Sequence, residues 1–510
     1  MKPFFKVILS LLLSAISIAE VEAAKPKKQP ADTVALPCRG VMETFSRVSD
    51  DIESRLDFYR SEGLTHYFYC PSDDRYCNRW GWKFLYNDSE RRDLMKLRDL
   101  CARKGLDFVW TLNPGERYSW TEEDYKFLLD KLVMMYYSGF RSFAVDFTEN
   151  RGDHHSLRDS LDMHFVNVMK QKVSLHLIDD IPQLKYPSEG TTAVESFMRG
   201  YHFDETFRRT AKSVGAMICN LSSYDEFAKF AVISSADCAR NPMNYSADQS
   251  LADAIELLHG DVRDAFMTFL RHTGTVNESS EVEAFCLSDW SKEKSETLFA
   301  EFDRIESVAT VLGKNMESSI LEALQPWFVQ FGRLGTRGKK VLKCMEYFSR
   351  GNIRDFWTVY ISAVMSEQEQ LDYQAHPVGQ EKLHPFCVQS MQELKDAFTD
   401  MLTGGAGLRN LSSTLAAHST PALDSDFSTS VSSSGHIEFA IPAEANTCHL
   451  LMGPLSKDKK VYFRQLKTDG SLAAEFVVDS PSMTFDIKNG AVKVDVLGDV
   501  DIYECIFVYL

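Results

Sequence analysis

Phe140-Arg141-Ser142-Phe143-Ala144-Val145-Asp146-Phe147-Thr148-Glu149-Asn150 reads as a strand that runs out into polar residues. Phe140 to Phe147 alternates and is rich in aromatic and β-branched side chains, which predicts a strand. The stretch before it, Thr121 to Gly139, is amphipathic. It opens Thr-Glu-Glu-Asp, a helix-start signature whose acids suit the helix dipole. Acids at the carboxyl end of a strand, in a chain of alternating strands and helices, are where α/β proteins keep their chemistry. The plain alternative is a solvated strand exit with ordinary turn residues.

Working outward, the same alternation precedes this strand. Strands are predicted at Gly40 to Phe45, Thr65 to Cys70 and Leu106 to Leu112, with helices at Ser49 to Glu62 and Ser89 to Lys104 between them. Units of this length predict a parallel sheet with right-handed crossovers, and a (β/α)8-type barrel is the simplest closure. After Asn150 the pattern weakens. Leu161 to Gln171 and Tyr201 to Val214 read as helices, and Val173 to Ile178 and Ala216 to Leu221 as strands. Asp179 to Gly200 is short for a full βα unit, so the barrel is expected to be irregular there. We place this domain at residues 36–249. Helical signals dominate 250–402, with separate helices expected at Ser318 to Arg333 and Lys339 to Arg350. Residues 403–435 read as a Gly/Ser/Thr-rich linker, and 436–510 as a β-sandwich-like module of short strands. Tyr462, Phe463 and Phe476 in that module could supply a stacking face for a sugar.

The 510 residues exceed one core, and 44% hydrophobic with 25% charged residues is ordinary for a globular protein. A net charge of −17 argues against nucleic acid as a partner. Lys2 and Lys6, the apolar run Val7 to Ala19 and the small residues before Ala24 read as a signal peptide over 1–24. The expectation is a secreted or periplasmic protein with no integral membrane segment after cleavage. The eleven cysteines include no pair at zinc-ligand spacing, and most are expected to be small buried hydrophobes. Cys70 and Cys77 are near enough in sequence to close a loop. Adjacent His154 and His155 rarely both ligate, so no metal and no cofactor are expected.

The strings DFVWTLNPG from Asp107, KLVMMYYSGFRSFAV from Lys131, RGVMETF from Arg39, YFYCPSDDRY from Tyr67, NPMNYS from Asn241 and QPWFVQF from Gln325 occur in one order and spacing. Together they resemble glycoside hydrolase family 84, the retaining β-N-acetylglucosaminidases that include O-GlcNAc hydrolases. The resemblance covers about residues 38 to 350, weakly between 151 and 214. It implies a barrel followed by a helical domain. It also implies substrate-assisted chemistry, in which the sugar's acetamido group attacks its own anomeric carbon.

In that family two adjacent aspartates follow the fourth strand. The first orients the acetamido group and the second is the acid/base. Carried over, these positions fall on Thr148 and Glu149. Glu149 can still donate a proton, whereas Thr148 carries no charge. Asp146 lies two residues earlier, and on a regular strand it shares a face with Thr148. The family's first-strand glycine falls on Thr44 and its loop lysine on Ser72. The aspartates after that lysine match Asp73 and Asp74. The sugar-contacting positions match Asn220, Asp225 and Asn241, each of which could instead cap a helix or form a turn. The first reading is thus a secreted glycosidase that hydrolyses β-linked N-acetylglucosamine from a glycan or glycoprotein substrate. The alternative is a catalytically inactive glycan- or protein-binding pseudoenzyme of the same fold.

Overall fold

The computed structural model describes residues 35–46, 51–148, 150–275, 282, 287, 290–314, 318–404, 421–456 and 458–509. The leader read at 1–24, the helix start at Ser49, Glu149 and residues 405–420 of the expected linker lie outside the described residues. The chain divides into two units. Unit 1 holds the described residues up to Glu189 together with Phe203–Ser246, and unit 2 holds Gly190–His202 and the residues from Ala247 onward.

Unit 1 is built on seven parallel strands: β1 (Cys38–Glu43), β2 (His66–Tyr69), β3 (Asp107–Leu112), β4 (Ser142–Val145), β5 (Ser174–Leu177), β6 (Gln183–Tyr186) and β7 (Ala216–Leu221). Their order is β5-β4-β3-β2-β1-β7-β6, an open hydrogen-bonded path with β5 and β6 at its ends. Helices α1 (Ile52–Ser61), α2 (Asp88–Lys104), α3 (Glu122–Tyr137) and α4 (His154–Met163) follow the first four strands. Helix α5 (Ala193–Met198) belongs to unit 2, and α6 (Glu205–Val214) and α7 (Glu226–Arg240) complete unit 1.

The sheet is curled. The His176 ring on β5 lies 5.7 Å from Phe68 on β2, although β3 and β4 separate those strands. Met42, Phe68, Val109, Ala144, Ile178 and Ile218 share one buried cluster inside the curl. These residues set the inward face, and alternate residues face the helices. The eight-stranded closure expected from the sequence is therefore replaced, within the described residues, by seven strands on an open path.

Local signals explain most of these elements. The Asn87 side chain accepts from the N–H groups of Ser89 and Glu90 to start α2, and Gly105 ends it at φ +77°. Thr121 caps α3 through the Asp124 N–H. Three expectations change. The helix expected at Leu161 begins at His154, because the Asp153 carboxylate accepts from Ser156 N. The helix expected at Tyr201 begins at Glu205, capped by Asp204. Strand β6 lies in the span that looked too short for a βα unit. It is flanked by Pro182 and Pro187, which hold the residues before them extended.

Unit 2 contains α8 (Ala247–His259), α9 (Arg263–His272), α10 (Lys292–Gly313), α11 (Ser319–Ser349), α12 (Ile353–Ala363), α13 (Glu367–Ala375) and α14 (Leu383–Thr403). The two helices expected over 318–350 are one. Gly335 and Gly338, which interrupt the apolar pattern, face α10 so closely that a Cβ would meet the backbone of Glu306 at 2.5 Å and the Phe302 ring at 2.2 Å. They are contact glycines, not breaks. Strands β8 (Val431–Ala440), β9 (Thr447–Met452), β10 (Val461–Lys467), β11 (Leu472–Val478), β12 (Ser482–Asp486) and β13 (Ala491–Val508) form an antiparallel sheet. Residues 431–435, read as linker, already pair with β13. Phe463 is fully buried and stacks on Phe485 at 3.9 Å, with Phe476 beside them. Two of the three aromatics proposed as a sugar-stacking face are therefore core. No helix among the described residues is long and apolar enough to cross a membrane.

Candidate active site

The inward face of unit 1 ends in polar residues at the carboxyl edge of the sheet. Met42 on β1 pairs with Phe68 on β2 and with Asn220 on β7, so Thr44, Cys70 and Asn220 lie at that edge. Leu112 on β3 pairs with Val145 on β4, which sets the next residues, Asn113 and Asp146, side by side. These residues line a cavity of about 370 Å³ together with Ser72 and the loop Asn78-Arg79-Trp80.

Asp146 is the inward acid of this cavity. It is 7% exposed. Asn113 Nδ2 donates to its Oδ2 at 2.8 Å, and Thr148 donates to its Oδ1 from N at 3.1 Å and from Oγ1 at 2.8 Å. The strand has already ended at Val145. The Phe147 N–H turns to Asp179 Oδ1 at 3.0 Å, and Asn150 N reaches back to Phe147 O at 2.7 Å. This turn takes Thr148 out of the strand, leaves it exposed and makes it a donor to Asp146. Asp146, not Thr148, is thus the residue of this segment that lines the cavity. Glu149 lies outside the described residues.

On the other wall, Thr44 Oγ1 donates to Leu221 O at 2.9 Å and lies 3.4 Å from Asn220 Oδ1. Asn220 Nδ2 donates to Gln183 Oε1 of β6 at 3.0 Å. The late strand that the sequence did not show therefore holds the asparagine that it did. Burial, with Asp146 and Asp74 nearby, pushes the Cys70 thiol well above its ordinary range. It is an apolar wall, not a nucleophile. Cys70 and Cys77 are free and buried, as are the other described cysteines.

The remaining sequence candidates divide. Asp225 caps α7 through Ala228 N and accepts from Tyr186 at 2.6 Å, near the carboxyl edge but off the cavity wall. Asp73 is exposed and accepts from Ser46 at 2.8 Å. Asp74 is fully buried and takes donors from Tyr69, Tyr86 and Tyr76 N, which makes it the internal anchor of the loop after β2. Asn241 follows the last turn of α7, whose Ala239 carbonyl accepts from Leu36 at the amino-terminal entry of β1. That is the opposite end of the sheet, a 15-residue helix away, or about 22 Å. The structure does not bring Asn241 to the cavity.

Several shaping residues carried no sequence signal. Asn113 reads as a turn residue before Pro114, yet it orients Asp146. Lys131 on α3 is fully buried and donates to the carbonyls of Tyr76 and Trp82, which flank the loop Asn78-Arg79-Trp80. Burial lowers its ammonium to about 8. Trp80 is 63% exposed at the cavity, with the Arg117 guanidinium 4.1 Å over its ring. His154 is sandwiched between Trp120 and Phe147, and its Nδ1 lies 2.7 Å from Asp179 Oδ2. Burial raises the Asp179 carboxyl, and the Phe147 N–H and His154 oppose that rise. The histidine is thus a brace for the turn after β4. Among the described residues no group of three or more His, Cys, Asp or Glu is arranged around a metal ion.

Residues 39–181 match the family model described as beta-N-acetylglucosaminidase. Over 114 residues the chain is 29% identical to Protein O-GlcNAcase of Rattus norvegicus and of Mus musculus. The aligned stretch is 22% of this chain and 12% of the length of each relative. Among solved structures, the one titled CpGH84B superposes with a TM-score of 0.54 at 18% identity, covering 70% of this chain and 78% of that one. An O-GlcNAc hydrolase variant from Thermobaculum terrenum superposes at 0.50 with 14% identity, covering 72% and 96%. At these identities the structural likeness is one of fold. The resemblance to glycoside hydrolase family 84 is borne out.

Proposed function

With residues 39–181 carrying the sequence pattern of the family 84 β-N-acetylglucosaminidases, we propose that unit 1 accepts a terminal β-linked N-acetylglucosamine of a glycoconjugate. It cleaves the glycosidic bond with the sugar's own acetamido group as nucleophile. The observation that carries this reading is the convergence of Asp146 and Asn220 on one cavity of about 370 Å³ at the carboxyl edge of the sheet. That volume lies in the range of small-ligand sites.

Asp146 accepts three hydrogen bonds, and a carboxylate has about four acceptor sites. The remaining one suits the acetamido N–H. Held there, the acetamido oxygen attacks the anomeric carbon while the leaving oxygen departs with a proton. The positive charge that develops on the acetamido nitrogen then lies against a fixed carboxylate. Glu149 is the proton donor on the sequence resemblance, and it takes a proton back from the water that opens the cyclic intermediate. The same proposal treats the open seven-stranded path as an irregular barrel, the C-terminal sheet as a sandwich, and residues 1–24 as an export signal.

Two observations favour a second reading, sugar binding without turnover. The Thr44 side chain stands at the cavity where the family has glycine, and the Thr148 hydroxyl is spent on Asp146. A thiazoline analogue of the intermediate and an aryl N-acetylglucosaminide separate the readings, because a ligand that binds only folded protein raises its melting temperature. Stabilisation with turnover is the expected result. Stabilisation alone supports the binding reading, and neither result from a well-folded protein sinks both.

Trp80 is the natural platform for whatever follows the first sugar. Trp80→Ala should weaken longer glycoconjugates about tenfold, the loss of one stacking contact, and leave the thiazoline affinity within about twofold. Equal losses for both ligands would show that Trp80 serves the first sugar instead.

A further inference from the structure

The ladder between β4 and β5 pairs Val145 with Leu177, and two residues beyond each lie Phe147 and Asp179. Asp146 N still donates to a main-chain partner, Leu112 O of β3, at 2.9 Å. The next N–H, of Phe147, faces the opposite neighbour and finds a side chain in place of a carbonyl. It donates to Asp179 Oδ1 at 3.0 Å. The other oxygen, Asp179 Oδ2, lies 2.7 Å from His154 Nδ1. The Asp179 and His154 side chains are 20% and 17% exposed, so water competes little for either contact.

The histidine is itself held. Its ring stacks on Trp120 at 5.4 Å and on Phe147 at 5.0 Å. Trp120 Nε1 donates to Asn150 Oδ1 at 2.7 Å, and Asn150 Nδ2 donates to the carbonyls of Gly115 and Tyr118 at 2.9 Å. A Cβ at Gly152 would stand 2.0 Å from the indole, so glycine leaves the room that Trp120 needs. Trp120 takes φ +58°, a strained region for a bulky residue, which persists where the surroundings fix it. The segments after β3, β4 and β5 are thereby tied together around Asp179 and His154. Asp146 is the cavity acid one residue before the Phe147 amide that enters this tie.

Asn113 and Thr148 fix the rotamer of Asp146, but the backbone fixes where that side chain starts. We propose that Asp179 is a positioning residue of the site: through the Phe147 N–H it sets the backbone where the chain leaves β4, and so aims the Asp146 carboxylate at the acetamido group. Asp179 itself does not line the cavity, so it acts through Asp146 and not on the sugar. A displacement of about 1 Å at a contact of this kind can cost about 10²-fold. The inference deepens the sugar reading and rests on it for the acetamido contact, whereas the hold on the turn is read without any ligand.

The test uses the full chain and the thiazoline analogue, well below the melting temperature of each variant. Asp179→Ala should weaken the analogue by about tenfold or more. Asp179→Glu keeps the charge but moves the acceptor by about 1 Å, and should lose nearly as much. Asp179→Asn removes the charge but keeps an acceptor for the Phe147 N–H, and its amide can donate to His154 Nδ1. It should stay within about threefold of the wild type. In an Asp146→Asn background, Asp179→Ala should cost less than about twofold more, because the group it aims has lost its charge. An undiminished loss in that background overturns the proposal. So does a pattern in which Asp179→Glu is spared and Asp179→Asn falls, which would make the effect one of charge. Hydrogen exchange read by mass spectrometry needs no ligand. Asp179→Ala should unprotect residues 146–150 and leave Ser142–Val145 protected. Unchanged protection of 146–150, or loss throughout β4, overturns the proposal whether or not a sugar binds. A wild type that does not bind the analogue, with 146–150 opening as expected in Asp179→Ala, refutes the sugar reading and with it the role toward the acetamido group.

Discussion

Glu43→Ala should destabilise unit 1 by about 3–5 kcal/mol, the usual cost of removing one partner from a buried ion pair. Glu43 is 4% exposed and faces the helices, opposite to Thr44. Arg55 on α1, itself buried, donates to it twice, from Nε at 2.8 Å and Nη2 at 3.1 Å. Tyr59 donates at 2.8 Å and Tyr67 of β2 at 2.9 Å. Burial raises both phenols, so they remain neutral donors. The carboxylate ties β1, β2 and α1 together immediately before the chain enters the cavity. Alanine would remove the acceptor that this guanidinium and the two phenol hydroxyls share. Replacing both charges, as in Glu43→Leu with Arg55→Leu, should recover more than half of the loss, because the stranded charge goes too. Calorimetry on the full chain reads both effects. A single-variant loss under about 1 kcal/mol would mean that water reaches the pair.

The first four strands were legible because each is a short apolar run followed by a helix, and Asn87, Thr121 and Asp153 cap the helices after β2, β3 and β4, so local and long-range preferences agree. Strand β6 was not legible. Four residues between two prolines carry too little periodicity, and only pairing with β7 makes Gln183–Tyr186 a strand. Helix α11 failed in the opposite sense. Its glycines look like termini in a linear reading, and they are explained only by the Phe302 and Glu306 surfaces of α10. The end of β4 shows the same limit at the site. A period of two carries Thr148 onto the face of Asp146, but the Phe147 N–H is drawn to Asp179, 32 residues later. Nothing local announces that contact. Asp146 was readable as a polar residue at a strand end, and Asn220 came from the family resemblance. Asn113 was read as a turn residue because its partner is set by the β3–β4 register. Asn241 was aligned by its Pro-Met neighbours, whereas its place follows from the length and direction of α7.

Asp146→Asn should lower the affinity for the thiazoline analogue, and any turnover of the aryl substrate, by about 10²-fold or more. That is the scale on which removal of one fixed electrostatic partner acts. The substitution keeps the size of the side chain and the acceptor for Thr148, but it sets an amide donor against Asn113 Nδ2. Apo stability should therefore fall far less than affinity, by about 1–2 kcal/mol. Thr148→Asp tests the same geometry from the other side. If alignment alone governed the site, an aspartate at 148 would supply the missing charge and raise activity. Here it replaces a hydroxyl that donates to Asp146 Oδ1 at 2.8 Å with a second carboxylate, so activity should drop. Glu149→Gln completes the set, and it should abolish turnover of poor leaving groups while sparing thiazoline binding. A Thr148→Asp variant that gains activity while Asp146→Asn leaves it unchanged would move the acetamido contact from residue 146 to residue 148.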